Sequence, residues 1–365
     1  MKTIYIVALE SVPTRYTCQW LDGLPKAIEQ FAKDAGKDVR VVNVLGAEGE
    51  QIVTPGAFLN FAGTNVWKSQ QAIELSKLFA AGEIKAGDKI LFTDAWNPTI
   101  IQVKYMAELL NIPVELHGIW HAGSYDPQDF LGRLIADKRW SKSIERSIFH
   151  ALDYNIYATD FHIQLFLDGV FIDDNAEDEL TPNDVAYKVV KSGQPHESMM
   201  DTLEPYAYKQ KRNLILFPHR VAPEKQPLIF QDLAKELPEY EWVVCQDKKL
   251  SKDEYHDLLG AAKIVFSANL QETLGISAME GVLVDAMPLV PDRLSYTEMY
   301  LDRFKYPSEW TTDYNAYLRN KSKLIEKIRD MMDNYDTYYD DLMVQDSILR
   351  NDYMRATQMY KNLLK

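Results

Sequence analysis

SANLQETLGISAMEGVLVDAMPLVPDRLSYTEM, residues 267–299, carries Glu272 and Glu280 with seven residues between them. Small and apolar residues over Leu274–Leu283 predict a helix, so Glu272 falls on the loop leading into it and Glu280 about two turns along. Gly275 lets a ligand come close to the backbone there. The first-turn N–H groups have no partner within a helix and face any anion at its start. A diphosphate suits that position, with one carboxylate accepting from sugar hydroxyls and the other from ribose hydroxyls. An acid at a helix start also simply complements the helix dipole, and Glu272 taken alone fits either account.

Upstream, Phe217-Pro218-His219-Arg220-Val221-Ala222-Pro223-Glu224-Lys225 follows a predicted strand, Asn213–Pro218, and precedes a predicted helix, Gln226–Lys235. Arg220 and Lys225 put a guanidinium and an ammonium on one loop, five positions apart. Together they would neutralise a diphosphate, above all one that is departing with its full charge. Arg-x4-Lys occurs in many surface loops; it gains weight from standing with the paired glutamates on βα edges of one domain. The same half continues with a strand at Glu241–Gln246, a helix at Asp253–Ala262, a strand at Ile264–Ser267 and a strand end at Pro288–Pro291. The first half alternates likewise. Strands are predicted at 3–9, Val39–Leu45, Lys89–Thr93, Val114–His117 and 153–159, and helices at Leu24–Ala35, Ser69–Ala81 and Ile100–Leu110. Two such series predict two parallel, doubly wound α/β domains that bind ligands at their carboxyl edges.

At 365 residues the chain has room for two domains of ordinary size. Its 46% hydrophobic and 26% charged residues are the balance of a folded rather than a disordered chain. No run of about 18 apolar residues is present to span a membrane. The apolar stretch at the N-terminus leads to Glu10, Pro13 and Arg15, where a signal peptide would carry a small-residue cleavage site. Cys18 and Cys245 are far apart, which fits a reducing cytoplasm. No Cys/His cluster has zinc spacing. Asp173 and Asp174, in the acidic stretch 173–184, lack a His or third carboxylate to complete a metal cage and read as solvated loop. A net charge of −14 disfavours general polyanion binding. It leaves a local basic strip, Arg133, Lys138, Arg139, Lys142 and Arg146, against only Asp137 and Glu145; a solvated helix face has the same look. No G-x-G-x-x-G follows a strand, which argues against a nicotinamide-dependent dehydrogenase.

Residues 267–299 resemble the donor-binding signature of retaining GT-B glycosyltransferases, particularly the large GT4-like group. The family pattern stands here as Glu272, Leu274, Gly275, Glu280, Gly281 and Pro288. Leu274 takes the place of a commoner Phe, and Asp285-Ala286-Met287 that of the usual small residue and Gly. In the family an Arg and a Lys with the spacing of Arg220 and Lys225 hold the donor diphosphate. The resemblance implies a GT-B fold, two Rossmann-like domains facing a central cleft, with a C-terminal helix packing back on the N-terminal domain. On that plan residues 1–192 and 340–365 form the acceptor-side domain, 193–212 a polar linker, and 213–339 the nucleotide-sugar domain.

Further sites follow from the same resemblance. Gly23, in Trp20-Leu21-Asp22-Gly23-Leu24-Pro25, matches a glycine under the donor phosphates, with Asp22 where a second Gly is usual; a lone Gly there is otherwise just a helix start. His117, at the end of the predicted strand Val114–His117, takes the place of a His that touches the donor sugar and the transferred centre. His121 is its rival, and a buried structural histidine is the other account of each. Asp94 and Trp96, after the preceding strand, open towards an acceptor.

The implied reaction moves a sugar from a nucleoside diphosphate, UDP in the first instance, to a hydroxyl with retention. Arg220, Lys225, Glu272 and His117 form its catalytic set. The departing diphosphate oxygen takes the acceptor's proton, and no metal or tightly bound cofactor is required. FPHRVAPEKQP and WHAGSYDPQDF further resemble phage-encoded glycosyltransferases, some of which modify hydroxymethylated pyrimidines in viral DNA. That implies 5-hydroxymethylcytosine in phage DNA as acceptor, the host cytoplasm as the place, and Arg139 with its strip and Trp140 beside the duplex. A lipid, glycan or small-molecule acceptor is the alternative, as is a non-catalytic two-domain sugar or nucleotide-binding protein, which would have no reason to keep Arg220, Lys225, Glu272 and Glu280 together. Monomer and homodimer both remain open. Lys225→Ala is expected to lower sugar transfer by about 10²–10³-fold or more, in initial-rate assays, while circular dichroism shows the fold intact.

Overall fold

Leu214–Phe217 and Ile264–Phe266 are apolar on both faces and bury completely, as parallel strands covered by helices on both sides must. The computed structural model describes residues 2–10, 16–47, 60–172 and 182–365 and arranges such strands in two sheets. The acidic pair Asp173 and Asp174 lies outside the described residues. In the first sheet β1 (Lys2–Val7), β2 (Val39–Val44), β3 (Lys89–Phe92), β4 (Glu115–Ile119), β5 (Tyr154–Tyr157) and β6 (Val189–Lys191) run in the order β2-β1-β3-β4-β5-β6. In the second, β7 (Leu214–Phe217), β8 (Glu241–Val244), β9 (Ile264–Phe266), β10 (Met287–Pro291) and β11 (Lys305–Tyr306) run β11-β10-β9-β7-β8. Every pairing is parallel. In each sheet the first strand lies between its second and third. The connections therefore leave in opposite directions at β1/β3 and at β7/β9, opening a crevice at the carboxyl edge there.

The chain divides into two units, Met1–Glu197 with Arg355–Lys365, and Ser198–Met354. The stretch from 193 to 212 is not a free linker, because helix Glu197–Leu203 within it buries Met199, Met200 and Leu203. The return to the first unit begins at Arg355 rather than at 340. Residues before it are held in the second unit, where the Gln345 side chain accepts from Leu301 N–H and donates to the Met299 carbonyl. Helix Thr357–Leu363 then packs Met359, Tyr360 and Leu363 against Ile4, Ile6, Trp20, Leu24 and Ile28. Met359 N–H donates to Ser192 Oγ at 2.8 Å. Among the described residues, no helix is long and apolar enough to cross a membrane.

Three elements differ from the sequence expectation, each for a local reason. Helix Phe61–Ala80 begins before Ser69 because the Asn60 side chain accepts from Ala62 and Gly63 N–H, capping a first turn that includes Gly63 and Thr64. Helix Trp20–Asp34 begins before Leu24 and places Gly23 inside its opening turns, not in a loop. Pro25 has no N–H for the Leu21 carbonyl, and Asn43 Nδ2 donates to it instead at 2.9 Å. Strand β4 continues through Gly118 to Ile119, paired on both sides. A side chain at 118 would strike Leu152, so the glycine serves close packing rather than ending the strand. Met359→Ala, which empties a fully buried site, should cost about 2–5 kcal/mol, read as a lower urea midpoint.

Candidate functional site

The loops after β7 and β9 flank the switch point of the second sheet, and they are bonded to each other. Leu270 N–H donates to the Glu224 carbonyl at 2.8 Å, and Gln226 Nε2 to the Ala268 carbonyl at 2.6 Å. Lys225 closes the junction: its buried ammonium donates to the Gln271 carbonyl at 2.6 Å and meets Glu272 Oε2 at 3.1 Å. Asn269 Nδ2 donates to the same carboxylate oxygen at 3.2 Å. Burial pushes the Glu272 carboxyl up, but Lys225, with His219 and the Gly275 N–H, outweighs it, so the group sits below its ordinary value and stays charged near neutrality. Arg220 is held from the same loop, its Nη2 donating to the buried Glu224 at 2.8 Å. The two cations and Glu272 thus stand on adjoining loops at one carboxyl edge.

Helix Ile276–Leu283 follows at once, and Gly275 makes the turn with φ of 83°. A Cβ there would lie 2.6 Å from Tyr296 and 3.3 Å from Glu272, so only glycine fits both the backbone and the space. Glu280, further along this helix, accepts from the Tyr255 hydroxyl at 2.7 Å. Its apolar surroundings push the carboxyl up to about 7, with Tyr255 and Lys252 pulling the other way. Arg293, beyond β10, donates to the carbonyls of Asn269 (2.7 Å), Ala268 (2.8 Å) and Ser308 (3.1 Å), fixing the backbone that leads to Glu272.

In the first unit the expected residues separate. His117 lies in the middle of β4, fully buried, with Nε2 2.7 Å from Glu115, which also pairs with Lys89. It does not follow the strand. His121 does: it stands just beyond the end of β4, Nε2 2.7 Å from the Thr93 carbonyl at the end of β3. Asp94 pairs with Lys68 at 2.9 Å. Burial would raise its carboxyl, but Lys68 and then His121 bring it below its ordinary value. Trp96 donates its indole N–H to Glu145 at 2.8 Å and meets the half-exposed Trp140 edge-on at 6.5 Å. The basic strip is only partly a surface. Arg139 is 92% exposed, bonded to Asp137, whereas Arg146 donates to the Val170 carbonyl and packs on Phe171.

Across its whole length the chain is similar to HepE from Anabaena, solved with UDP and glucose, at 11% identity and a TM-score of 0.54, covering 98% of that chain. It is similar to the catalytic domain of starch synthase IV from Arabidopsis thaliana, bound to ADP and acarbose, at 11% identity and 0.58, again over 98% of it. A glycosyltransferase from Rickettsia africae matches at 14% identity and 0.55, covering 99%. The fold is GT-B. No family model matches the sequence, and no curated protein matches it.

Set on the GT-B frame, Arg220, Lys225, Glu272, Leu274, Gly275 and Glu280 lie on the βα loops and the helix of the second sheet's switch point. Leu274, the apolar residue of the motif, is buried beside Gly275. Glu224, Asn269, Tyr255 and Arg293, which hold that set in place, were not singled out by sequence. Only Glu224 carried a signal, four residues from Arg220 and next to Lys225. Among the described residues no cluster of His, Cys, Asp or Glu is placed to hold a metal. The Glu280 carboxyl binds its proton more tightly folded, with a value of about 7, than unfolded, where it stays near 4.5. Its contribution to stability is thus complete below about 4.5 and fades as pH rises through about 7. Glu280→Gln should flatten the fall in thermal midpoint between about pH 5 and about pH 8.

Proposed function

We propose that this chain is a retaining glycosyltransferase that moves a sugar from a nucleoside diphosphate, UDP in the first instance, to a hydroxyl acceptor. The observation that carries the reading is the junction of Lys225 with Glu272 at the switch point, with Arg220 on the same loop. A diphosphate lying there meets a guanidinium, an ammonium and the start of helix Ile276–Leu283. These stabilise charge that grows as the bond to the sugar breaks, which lowers the barrier rather than merely tightening binding. Glu272, charged and fixed by Lys225 and Asn269, accepts from sugar hydroxyls; Glu280 accepts from ribose. The leaving oxygen takes the acceptor's proton on the same face, so the sugar keeps its configuration without a protein nucleophile.

His121, beyond the end of β4, takes the role beside the donor sugar that the strand boundary had suggested for His117. Asp94 and Trp96 follow β3, the other strand of the first sheet's switch point, and belong to the acceptor side. For the acceptor we propose 5-hydroxymethylcytosine in phage DNA, modified in the host cytoplasm. Exposed Arg139 and half-exposed Trp140, on helix Lys138–Ala151, supply a cation and an aromatic face for the duplex.

Calorimetry with UDP, ADP and GDP, followed by transfer of labelled sugar from the donor that binds, tests both parts. Transfer to hydroxymethylated but not to unmodified DNA is expected, at a rate that chelating divalent ions leaves unchanged. Binding to no nucleoside diphosphate would remove the transferase reading, whereas transfer only to a lipid or glycan would remove the DNA acceptor alone.

A further inference from the structure

Helix Phe61–Ala80 has two apolar faces, and its own unit uses one of them. Inward, Trp67 Nε1 donates to the Ala8 carbonyl at 2.9 Å, and Gln71 Nε2 to the carbonyls of Ala8 and Val44 at 2.6 and 3.0 Å. Leu75 and Phe79 bury in the core beneath. Outward, Ala62, Val66, Ser69, Ile73, Ser76 and Ala80 recur at alternating intervals of four and three residues, and all six are exposed. That alternation is the seam of one helix against another, whereas a solvated face carries charge. This seam carries none, in a chain with 26% charged residues.

Helix Thr99–Leu109 lies alongside, with Thr99 Oγ1 donating to the Lys68 carbonyl at 3.1 Å, and it widens the face. Between the two helices runs a groove of about 550 Å³, with Ala72, Ser76 and Gln102 among its walls. Tyr105 and Leu109 are 65% and 69% exposed on the second helix, as Val66 and Ile73 are 61% and 49% exposed on the first. Single apolar side chains on a surface are ordinary; four on two packed helices mark a surface that is covered in use.

Charge and shape point to the same occupant. Lys68 pairs with Asp94 at 2.9 Å, Lys77 with Glu74 at 2.8 Å and Lys104 with Glu108 at 3.2 Å, so the face holds both signs with no excess of either. A strongly acidic or basic partner finds no opposite field there, while two chains of net charge −14 meet least repulsion at a neutral face. The seam is also its own complement. Turned end for end about the level of Gln71, it sets Val66 against Ser76 and Ile73 against Ser69, large opposite small, with Ala62 against Ala80 at the ends. A reversed copy of the same helix is what a two-fold axis supplies.

We propose that two copies of this chain associate through this face, their Phe61–Ala80 helices antiparallel across a two-fold axis near Gln71. The seam spans about 27 Å and two packed helices are about 18 Å wide, so each copy covers ~500 Å². The total of ~1,000 Å² is at the lower end of specific interfaces and suits a reversible dimer that forms at micromolar concentration.

Sedimentation velocity of the full chain from about 1 to about 200 µM should show wild type passing from monomer to dimer. Ile73→Glu and Val66→Lys, opposite in charge and at exposed sites where the thermal midpoint should not move, should each weaken association at least about tenfold. Val344→Glu, at an exposed apolar site of the other unit, should leave it unchanged. Reversed helices bring position 69 to position 73 of the partner and not to 69. Mild oxidation of Ser69→Cys chains mixed with Ile73→Cys chains should therefore give at least about fivefold more covalent dimer than Ser69→Cys chains alone. Wild type that stays monomeric to about 200 µM, or association that neither charge variant weakens, overturns the proposal. Equal cross-linking of Ser69→Cys chains to one another overturns it as well.

Discussion

Lys225 carries one ammonium into the interior of the second unit, and the arrangement around it depends on how that charge is met. A buried cation is tolerable only when its lost hydration is replaced, here by the Gln271 carbonyl and by Glu272. Because those partners belong to the loop after β9, satisfying the charge also pins that loop to the one after β7. The same contact lowers the Glu272 carboxyl and keeps it ionised. On the proposed function, folding and ligand chemistry share a side chain. An incoming diphosphate would meet a cation that is already oriented, with little left to reorganise.

Around this contact the second unit devotes several groups to backbone placement. Arg293 spends its guanidinium on three carbonyls, two of them shortly before Glu272. Ser267 and Asn269 meet the Tyr296 hydroxyl at 3.1 and 3.2 Å, and Tyr296 in turn lies against Gly275. The carboxylate is thus fixed from behind by groups that need never touch a ligand. Precision of this kind suits stabilisation of a fleeting charge distribution, where misplacement by about 1 Å is costly.

The parts of this candidate site that sequence could mark are those whose relation lies in spacing along one short stretch of chain. Glu272 to Glu280, and Arg220 to Lys225, keep their relation whatever the exact strand ends are. Residues whose role depends on where an element stops were misplaced. His117 falls inside β4 because Gly118 extends the strand, and Gly23 falls inside a helix because Asn43, from another element, compensates for Pro25. Arg293 and Tyr255 were invisible because their partners are distant in the chain, and no local pattern marks such a meeting. The alternation of apolar segments was enough for two doubly wound sheets, but not for the unit boundary, which Met199, Met200 and Leu203 place at a helix rather than a linker.

The Leu21 carbonyl, left by Pro25 and taken up by Asn43, has a wider consequence. It belongs to the first turn of the helix that presents Trp20 to His121 and His196. Positions 25 and 43 are therefore coupled physically. Loss of the amide at 43 strands a carbonyl unless residue 25 regains an N–H, and drift at either site alone would be felt by the indole. A pair with no ligand contact of its own can be inherited together for the sake of a ring several residues away.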